Sequence, residues 1–241
     1  MGVLNGFLYV FIFTSVWKAL YSQSDVASHN GFTLNGIITF AVMAMAVRIA
    51  FTQDDTVIYK KVQDGSVAID LIRPVSFFFM HLAESSGHSL FHFCARSLPI
   101  IFISSLLFEI EIPAEPLRLL VFLLSAILGY LILFMVNFAF GLLAFWFVEI
   151  FPFLLFKYGM LTLFGGGIVP IDFFPEPLKI VAHLLPFQQV LYVPTTILIG
   201  HASYGDLAPM IATQFGWIIA LTAICRTMWR AGQNKLVIQG G

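Results

Sequence analysis

The longest uncharged run of the chain sets the strongest limit on its fold. It extends from Leu119 to Val148, 30 residues without an acidic or a basic side chain. About 20 mostly apolar residues are enough to cross the ~30 Å hydrocarbon layer of a bilayer. Hydrophobic residues make up 59% of the 241 residues and charged residues only 10%, so one soluble core could not bury the apolar surface. The sequence therefore predicts an integral membrane protein.

Six apolar segments are long enough to be membrane-spanning helices, and they predict an all-α fold with a single domain over residues 1–241. The 30-residue run is too long for one untilted helix. Gly141, Glu149 and Pro152 are typical of a turn, so the fifth span is placed after it. The predicted spans are residues 2–21, 31–52, 89–109, 117–140, 149–168 and 206–228.

The positions of the basic residues predict the orientation, because Lys and Arg accumulate on the cytoplasmic side of membrane proteins. The acidic connection at residues 109–116 then lies outside. We expect a multi-pass protein of the cytoplasmic (inner) membrane with both termini in the cytoplasm. Eight of the 12 basic residues would lie inside, whereas Lys18, Arg118, Lys157 and Lys179 would not; the eight are Arg48, Lys60, Lys61, Arg73, Arg96, Arg226, Arg230 and Lys235.

Residues 165–200, called the re-entrant segment below, break their own helices and yet remain apolar. Three glycines open the segment, and five of the 11 prolines lie within it. Such breaks are tolerated at membrane depth only where the freed backbone groups find partners. We expect a short amphipathic helix between Pro177 and Pro186, followed by a second apolar piece that Gly200 ends. These pieces predict outer re-entrant helices between spans five and six, and the alternative is an amphipathic connector without a role of its own.

Residues 53–87, called the coupling segment below, form the largest predicted cytoplasmic piece. Apolar side chains such as Val57 and Ile72 are mixed with a rim of charged ones, which is typical of a protein interface. Gly65 interrupts the segment and Pro74 stops its helix. The alternative is an interfacial helix that packs only on its own protein.

Three blocks, in order along the chain, resemble the permease subunits of type-2 ATP-binding-cassette (ABC) exporters. GSVAIDLIRP at residues 65–74 is similar to the family's cytoplasmic segment between spans two and three, and Gly141–Trp146 is a weaker match. With the six spans, the likeness covers nearly the whole chain. The third block resembles the end of span five and the outer helices, in Gly166, Gly167, Ile168, Pro170, Phe174, Pro175, Leu185, Pro186, Phe187, Tyr192 and Pro194.

The resemblance implies roles for both segments. The coupling segment would contain a coupling helix that docks on a separate ATPase subunit, through Lys60, Lys61, Asp64, Gly65, Asp70, Leu71, Ile72, Arg73 and Pro74. The re-entrant segment would form a lid over the outer mouth, through Gly165, Gly166, Gly167, Pro170, Pro175, Pro186, Phe187, Tyr192 and Pro194. Such permeases open with a basic amphipathic helix, whereas this sequence begins within the first predicted span, so contacts of that helix are not carried over.

The resemblance also implies a function: the permease subunit of an ABC exporter for an amphiphilic or hydrophobic substrate. A second permease, identical or related, would complete the pathway in the lipid membrane, and ATP and Mg²⁺ would be held by the ATPase partners. The dipeptide Gly-Lys never occurs, so the chain has no phosphate-binding loop and is predicted not to be an enzyme and to carry no cofactor. The net charge of −1 indicates no nucleic-acid partner.

Ionisable residues within or beside the predicted spans leave alternatives open. Lys157 in span five either extends to the membrane surface or lines the pathway.

Glu84, His88 and His92 recur every four residues and could bind a metal on one helix face, which would make the protein a membrane metalloenzyme. The alternative for this stripe is a polar face at the entry to span three, and we predict no metal site. A membrane assembly subunit without a transport role is the remaining alternative.

Overall fold

The computed structural model describes residues 3–22, 31–113 and 115–239, and every regular element within these ranges is helical. Four helices are long and apolar enough to cross a membrane: Leu4–Ser22, Phe77–Leu107, Pro116–Phe145 and Tyr204–Lys235. Two shorter apolar helices, Leu34–Ala50 and Phe151–Phe164, accompany them. The protein is therefore an all-helical bundle with several candidate membrane spans.

The helices follow the order of the predicted spans, with short helices in the two segments that the sequence singles out. The start predicted for span one, residue 2, lies outside the described residues. In chain order they are α1 (Val3–Ser22), α2 (Leu34–Ala50), α3 (Val57–Gln63), α4 (Val67–Ile72), α5 (Phe77–His92), α6 (Leu98–Leu107), α7 (Pro116–Leu142), α8 (Phe151–Phe164), α9 (Glu176–Leu184), α10 (Tyr192–Leu198) and α11 (Tyr204–Gln239).

The helix of the third predicted span begins at Phe77, twelve residues before the start predicted at residue 89. Helices α5 and α6 are joined by a π-helical turn, Phe93–Ser97, so the last part of the coupling segment belongs to this helix. Phe77 stacks on Trp229 of α11 with ring centroids 4.5 Å apart, which fixes the start of α5. This tertiary contact outweighs the low helix propensity of Gly87 and its neighbouring serines.

Helix α8 is short for a membrane span. The turn before it lies where the sequence predicts it: α7 ends at Leu142, and Pro152 stands in the first turn of α8. Glu149 accepts a hydrogen bond from the backbone N–H of Phe151 at 2.9 Å and so caps this turn. With 14 residues, α8 is about 21 Å long, so it cannot cross the ~30 Å hydrocarbon layer alone.

Helix α7 is central in the bundle, and it packs against α11, α10 and α3. Helix α7 and the re-entrant segment approach each other closely at Gly129. A Cβ atom there would lie 2.7 Å from the carbonyl oxygen of Gln189. Only glycine fits at such a distance from a backbone atom. The position of the re-entrant segment against α7 therefore depends on this residue.

We expect Gly129→Ala to destabilise the protein, because its methyl group would force the two backbones apart at a cost of ~1–3 kcal/mol in the free energy of unfolding. Thermal unfolding of the purified protein in detergent measures the effect. Gly216→Ala in α11 is the matched control, since a Cβ atom there meets nothing within 4 Å. It should leave the melting temperature unchanged or raise it. Equal melting temperatures for the two variants would contradict the close approach.

Candidate functional site

Lys157 is buried in the bundle and belongs to a polar network. Its side chain forms an ion pair with Asp55 and donates a hydrogen bond to Oδ1 of Asn137 at 2.8 Å. Nδ2 of Asn137 in turn donates to Oε1 of Gln53 at 2.9 Å. The network therefore joins α8, α7 and the start of the coupling segment.

The face of α8 that carries Lys157 points into the protein. Leu154, Lys157 and Phe164 are its buried residues, at the spacing of one helical face. Lys157 is 2% exposed and lies about 9 Å along the axis from Phe151, at 1.5 Å per residue. Its ammonium bonds to Asp55 and Asn137 inside the protein, and the role of Lys157 in the pathway stays a prediction.

A cavity of about 260 Å³, called the Lys157 cavity below, lies beside this network. A smaller cavity of about 130 Å³ shares Gln53, Asp55 and Asn137 with it. Most of the surface of the larger cavity is apolar, and Met45, Phe51, Leu133, Leu161 and Leu191 contribute to it. The polar part of the wall consists of Arg48, Thr52, Gln53, Asp55, Arg96, Asn137, Lys157 and Tyr158.

The second half of the re-entrant segment is buried within the protein. Every residue from Pro186 to Leu198 is buried, and α10 packs against α7 and α2. The side chain of Gln214 in α11 donates hydrogen bonds to the carbonyl oxygens of Gln189 at 3.0 Å and Ser125 at 3.1 Å. The first half differs, because α9 exposes Ile180 and Leu184 and buries only Ala182.

The glycines that open the re-entrant segment are required by close packing. Gly166 has a φ of +67°, and a Cβ atom there would lie 2.8 Å from Cβ of Tyr192. The backbone N–H of Tyr192 donates to the carbonyl oxygen of Gly165 at 3.1 Å. The end of α8 and the start of α10 therefore meet at these residues. Of the nine predicted lid residues, Pro175 is exposed and the other eight are buried.

Asp172 links the two halves of the re-entrant segment. The hydroxyl of Tyr192 donates to Oδ2 of Asp172 at 2.8 Å, and Nε2 of His201 lies 3.6 Å from Oδ1. Burial would raise the pKa of this carboxyl, but the hydrogen bonds from His201 and Tyr192 outweigh it, and the net pKa is lowered. The carboxylate is therefore the stable form that holds this contact.

Arg118 anchors the end of α10, and sequence reasoning missed this role. Its guanidinium is 6% exposed and donates hydrogen bonds to the carbonyl oxygens of Ala202 at 3.0 Å and Ile197 at 3.4 Å. It also lies 4.8 Å from the ring centroid of Tyr204. The carbonyl groups at a helix end need such donors. The sequence does contain a signal for this role, because Arg118 is the charged residue immediately before the 30-residue uncharged run.

The coupling segment folds into α3 and α4, two short helices separated at Gly65, which has a φ of +76°. Asp70 is 5% exposed and pairs with Lys61 at 2.8 Å and with Arg73 at 3.4 Å. These contacts hold the two helices together. Asp64 begins the turn and accepts a hydrogen bond from the Ser66 N–H at 2.9 Å; bonding to Ser66 lowers the pKa of Asp64.

Most of the predicted docking residues lie on the surface of this unit. Ile72 is 84% exposed and Leu71 40%, and the neighbouring Ile69, which is outside the predicted set, is 60% exposed. Asp70 is the exception, because it is buried and holds α3 to α4, so the structure places it beneath the surface rather than on it. The remaining exposed residues of the predicted set are Lys60, Asp64, Gly65, Arg73 and Pro74, and Lys61 is half-buried.

Residues 7–240 match a protein family described as ABC-2 family transporter protein. The chain belongs to this family. It is therefore the permease of an ABC transporter, a membrane transport component that is not itself catalytic. No curated protein and no solved structure matches the chain.

The Glu84, His88 and His92 stripe lies along α5 of the ABC-2 permease. Glu84 pairs with His81, with Oε2 and Nδ1 3.3 Å apart, and His88 is exposed. Within the part of the chain that the structure describes, no three His, Cys, Asp or Glu side chains are placed to hold a metal ion. No observation of the described residues thus favours the metalloenzyme alternative.

We expect Lys157→Met to lower the free energy of unfolding by ~3–5 kcal/mol, because it leaves the charge of Asp55 buried without a partner. Thermal unfolding measures the loss. Lys179→Met is the matched control, since its partner Glu176, 3.1 Å away, is 80% exposed, and such pairs contribute only ~0–1 kcal/mol. Removing both charges with Lys157→Met and Asp55→Leu should recover part of the loss. A Lys157→Met protein as stable as the control would show that the pair is not a stabilising contact.

Proposed function

We propose that this ABC-2 permease is the membrane subunit of an ATP-driven exporter for amphiphilic or hydrophobic molecules. Two permease subunits, identical or related, enclose the pathway, and separate ATPase subunits hold the ATP and Mg²⁺. The observation that carries the proposal is a chain of direct contacts from the exposed face of α4 to the ion pair at Lys157. Such contacts are what a transporter needs to move its spans when a partner subunit changes state.

The first contacts of this chain join the coupling segment to the turn between α7 and α8. The hydroxyl of Tyr59 and the amide nitrogen of Gln63 donate to the carbonyl oxygen of Val148, at 3.1 Å and 2.6 Å. Ile58 packs on Gly141, where a Cβ atom would lie 2.9 Å from Cβ of Ile58. A force applied to α3 is therefore transmitted to the inner ends of α7 and α8.

The second contact is the ion pair itself. Asp55 lies two residues before α3, and Lys157 lies within α8. Displacement of the coupling segment must either carry α8 along or separate two charges in a poorly solvated place, which is costly. The pair thus supports coupling between the docking surface and the wall of the Lys157 cavity.

The exposed apolar side chains of α4 support its role as the ATPase-docking surface. Ile69, Leu71 and Ile72 are exposed, as are the charged Lys60, Asp64 and Arg73 of the same segment. Such a mixture is typical of the core and rim of a protein interface. The buried Asp70 keeps α4 in place against α3. Docking of the ATPase on this face leaves the re-entrant segment on the opposite, outer side, where α9 acts as the movable part of the lid.

The Lys/Arg distribution supports an orientation with both termini in the cytoplasm. A cysteine introduced at Asp64 should then react with a membrane-impermeant maleimide only from the cytoplasmic side, and one introduced at Glu176 only from outside. Both positions are exposed, so burial does not limit labelling. Before labelling, Cys94 is replaced because it is exposed, whereas Cys225 is buried. Labelling of both positions from one side would refute the orientation.

We expect Ile72→Asp to uncouple transport, because it places a charge in the centre of the proposed docking surface. ATPase activity that co-purifies with the permease, and its stimulation by substrate, should fall at least about tenfold, since a desolvated unpaired charge typically costs more than 1.4 kcal/mol. The permease itself should keep its melting temperature, because Ile72 is 84% exposed.

Asn234→Asp is the matched control for this variant. It introduces the same charge at an exposed position of α11, outside the predicted docking residues and the contacts of the coupling segment. The ATPase activity that co-purifies with this control variant should equal that of the unmodified permease. Full stimulation in the Ile72→Asp protein would show that α4 does not dock the ATPase.

A further inference from the structure

Two arginines in the wall of the Lys157 cavity have no counter-charge. Arg48 lies near the end of α2 and Arg96 lies in the π-helical turn between α5 and α6, and both are half-buried. Within the described ranges, neither guanidinium forms a hydrogen bond or an ion pair. The carboxylate in the same wall, Asp55, already pairs with Lys157.

Both arginines lie within predicted spans, toward the ends that the predicted orientation places on the cytoplasmic side. Arg96 is about 16 Å along the helix from Leu107, and Arg48 is about 21 Å from Leu34, at 1.5 Å per residue. Both are therefore far from the outer ends of their helices. An ionised side chain within a span normally pairs with another group or marks the path of a substrate. A π-helical turn within an α-helix is also frequent at functional sites.

The charges of the wall determine what kind of group can occupy the cavity. The three basic side chains and one acidic side chain leave two positive charges in excess. A cationic headgroup would be repelled, whereas an anionic one would supply the missing counter-charge. Arginine suits this role because its planar guanidinium binds carboxylate and phosphate oxygens with two parallel hydrogen bonds.

We propose that the Lys157 cavity binds the anionic headgroup of an amphiphile, a carboxylate or a phosphate or sulfate ester, through Arg48 and Arg96. A volume of about 260 Å³ holds a headgroup and the first methylene groups rather than a whole drug-sized molecule. The apolar wall formed by Met45, Leu133 and Leu161 contacts the start of the chain. This inference rests on the proposed export function, for which it specifies the substrate class.

The experiment measures binding by the full-length permease in nanodiscs of phosphatidylcholine, with isothermal titration calorimetry. Dodecyl phosphate is the anionic probe, and dodecyltrimethylammonium and inorganic phosphate are the comparisons. We expect saturable binding of dodecyl phosphate, no binding of the cationic detergent, and much weaker binding of inorganic phosphate, which lacks the apolar chain. Equal binding of the anionic and the cationic detergent would overturn the proposal.

Variants test whether Arg48 and Arg96 bind the headgroup. Arg48→Gln and Arg96→Gln should each weaken dodecyl phosphate binding at least about tenfold, the usual effect of losing a charge-assisted hydrogen bond, and the Lys variants should retain part of it. Arg230→Gln is the matched control, because it removes the same charge from an exposed position on α11. Unchanged binding by the double Gln variant would overturn the assignment.

Thermal unfolding distinguishes a binding role from a structural one. Since neither arginine has a partner among the described residues, the Gln variants should melt at or above the temperature of the unmodified protein. A loss of stability as large as that of Lys157→Met would show that the arginines are structural and would overturn the site.

The source of the headgroup is distinguished by replacing part of the phosphatidylcholine with phosphatidylglycerol. If phosphatidylglycerol competes with dodecyl phosphate, the anionic site is supported and its occupant is a membrane lipid. If it does not compete, the site is supported with an exported amphiphile as its occupant. The binding assay needs no ATPase. Its failure would therefore leave the docking experiment on Ile72 intact, and failure of that experiment would leave the binding site intact.

Discussion

A polar group at membrane depth must find its partner within the protein, and this requirement accounts for the main features of the ABC-2 permease. Lys157 meets it through Asp55 and Asn137. Each of these contacts joins residues that are far apart in sequence, because α8 itself contains no acidic side chain that could pair with Lys157. The requirement therefore ties α8, α7 and the coupling segment into one unit, which hydrophobic packing in a lipid environment would not do alone.

The same requirement explains how the re-entrant segment can contain so many helix breaks. Its free backbone groups are bonded by side chains of the spans. Gln214 donates to Gln189, and Arg118 donates to Ile197 and, just beyond the segment, to Ala202. These donors come from α11 and α7, so the segment is held between two spans. The close approach at Gly129 then brings the backbone within reach of both.

The sequence predicts what depends on local patterns and misses what depends on distant partners. The order of the apolar helices, the turn at Pro152, the interruption at Gly65 and the short helix before Pro186 follow from composition, periodicity and the positions of glycine and proline. The start of α5 at Phe77 does not, because it depends on the stacking of Phe77 on Trp229, more than 150 residues away. Lys157 is recognisable as a charge in a span, but its partner Asp55 is indistinguishable from the neighbouring Asp54 in the sequence.

The position of Asp55 gives the coupling segment two connections to the spans that respond differently to displacement. Tyr59 and Gln63 donate hydrogen bonds to Val148 in the turn after α7, and these bonds are exposed, so water can replace a broken one at little cost. The ion pair with Lys157 acts in the interior, where its separation would leave two charges without solvation. In the coupling that we propose, the contacts at the turn would break first, and the ion pair would keep the segment attached to α8. The motion that would reach the Lys157 cavity is then that of α8, the shortest of the six apolar helices described.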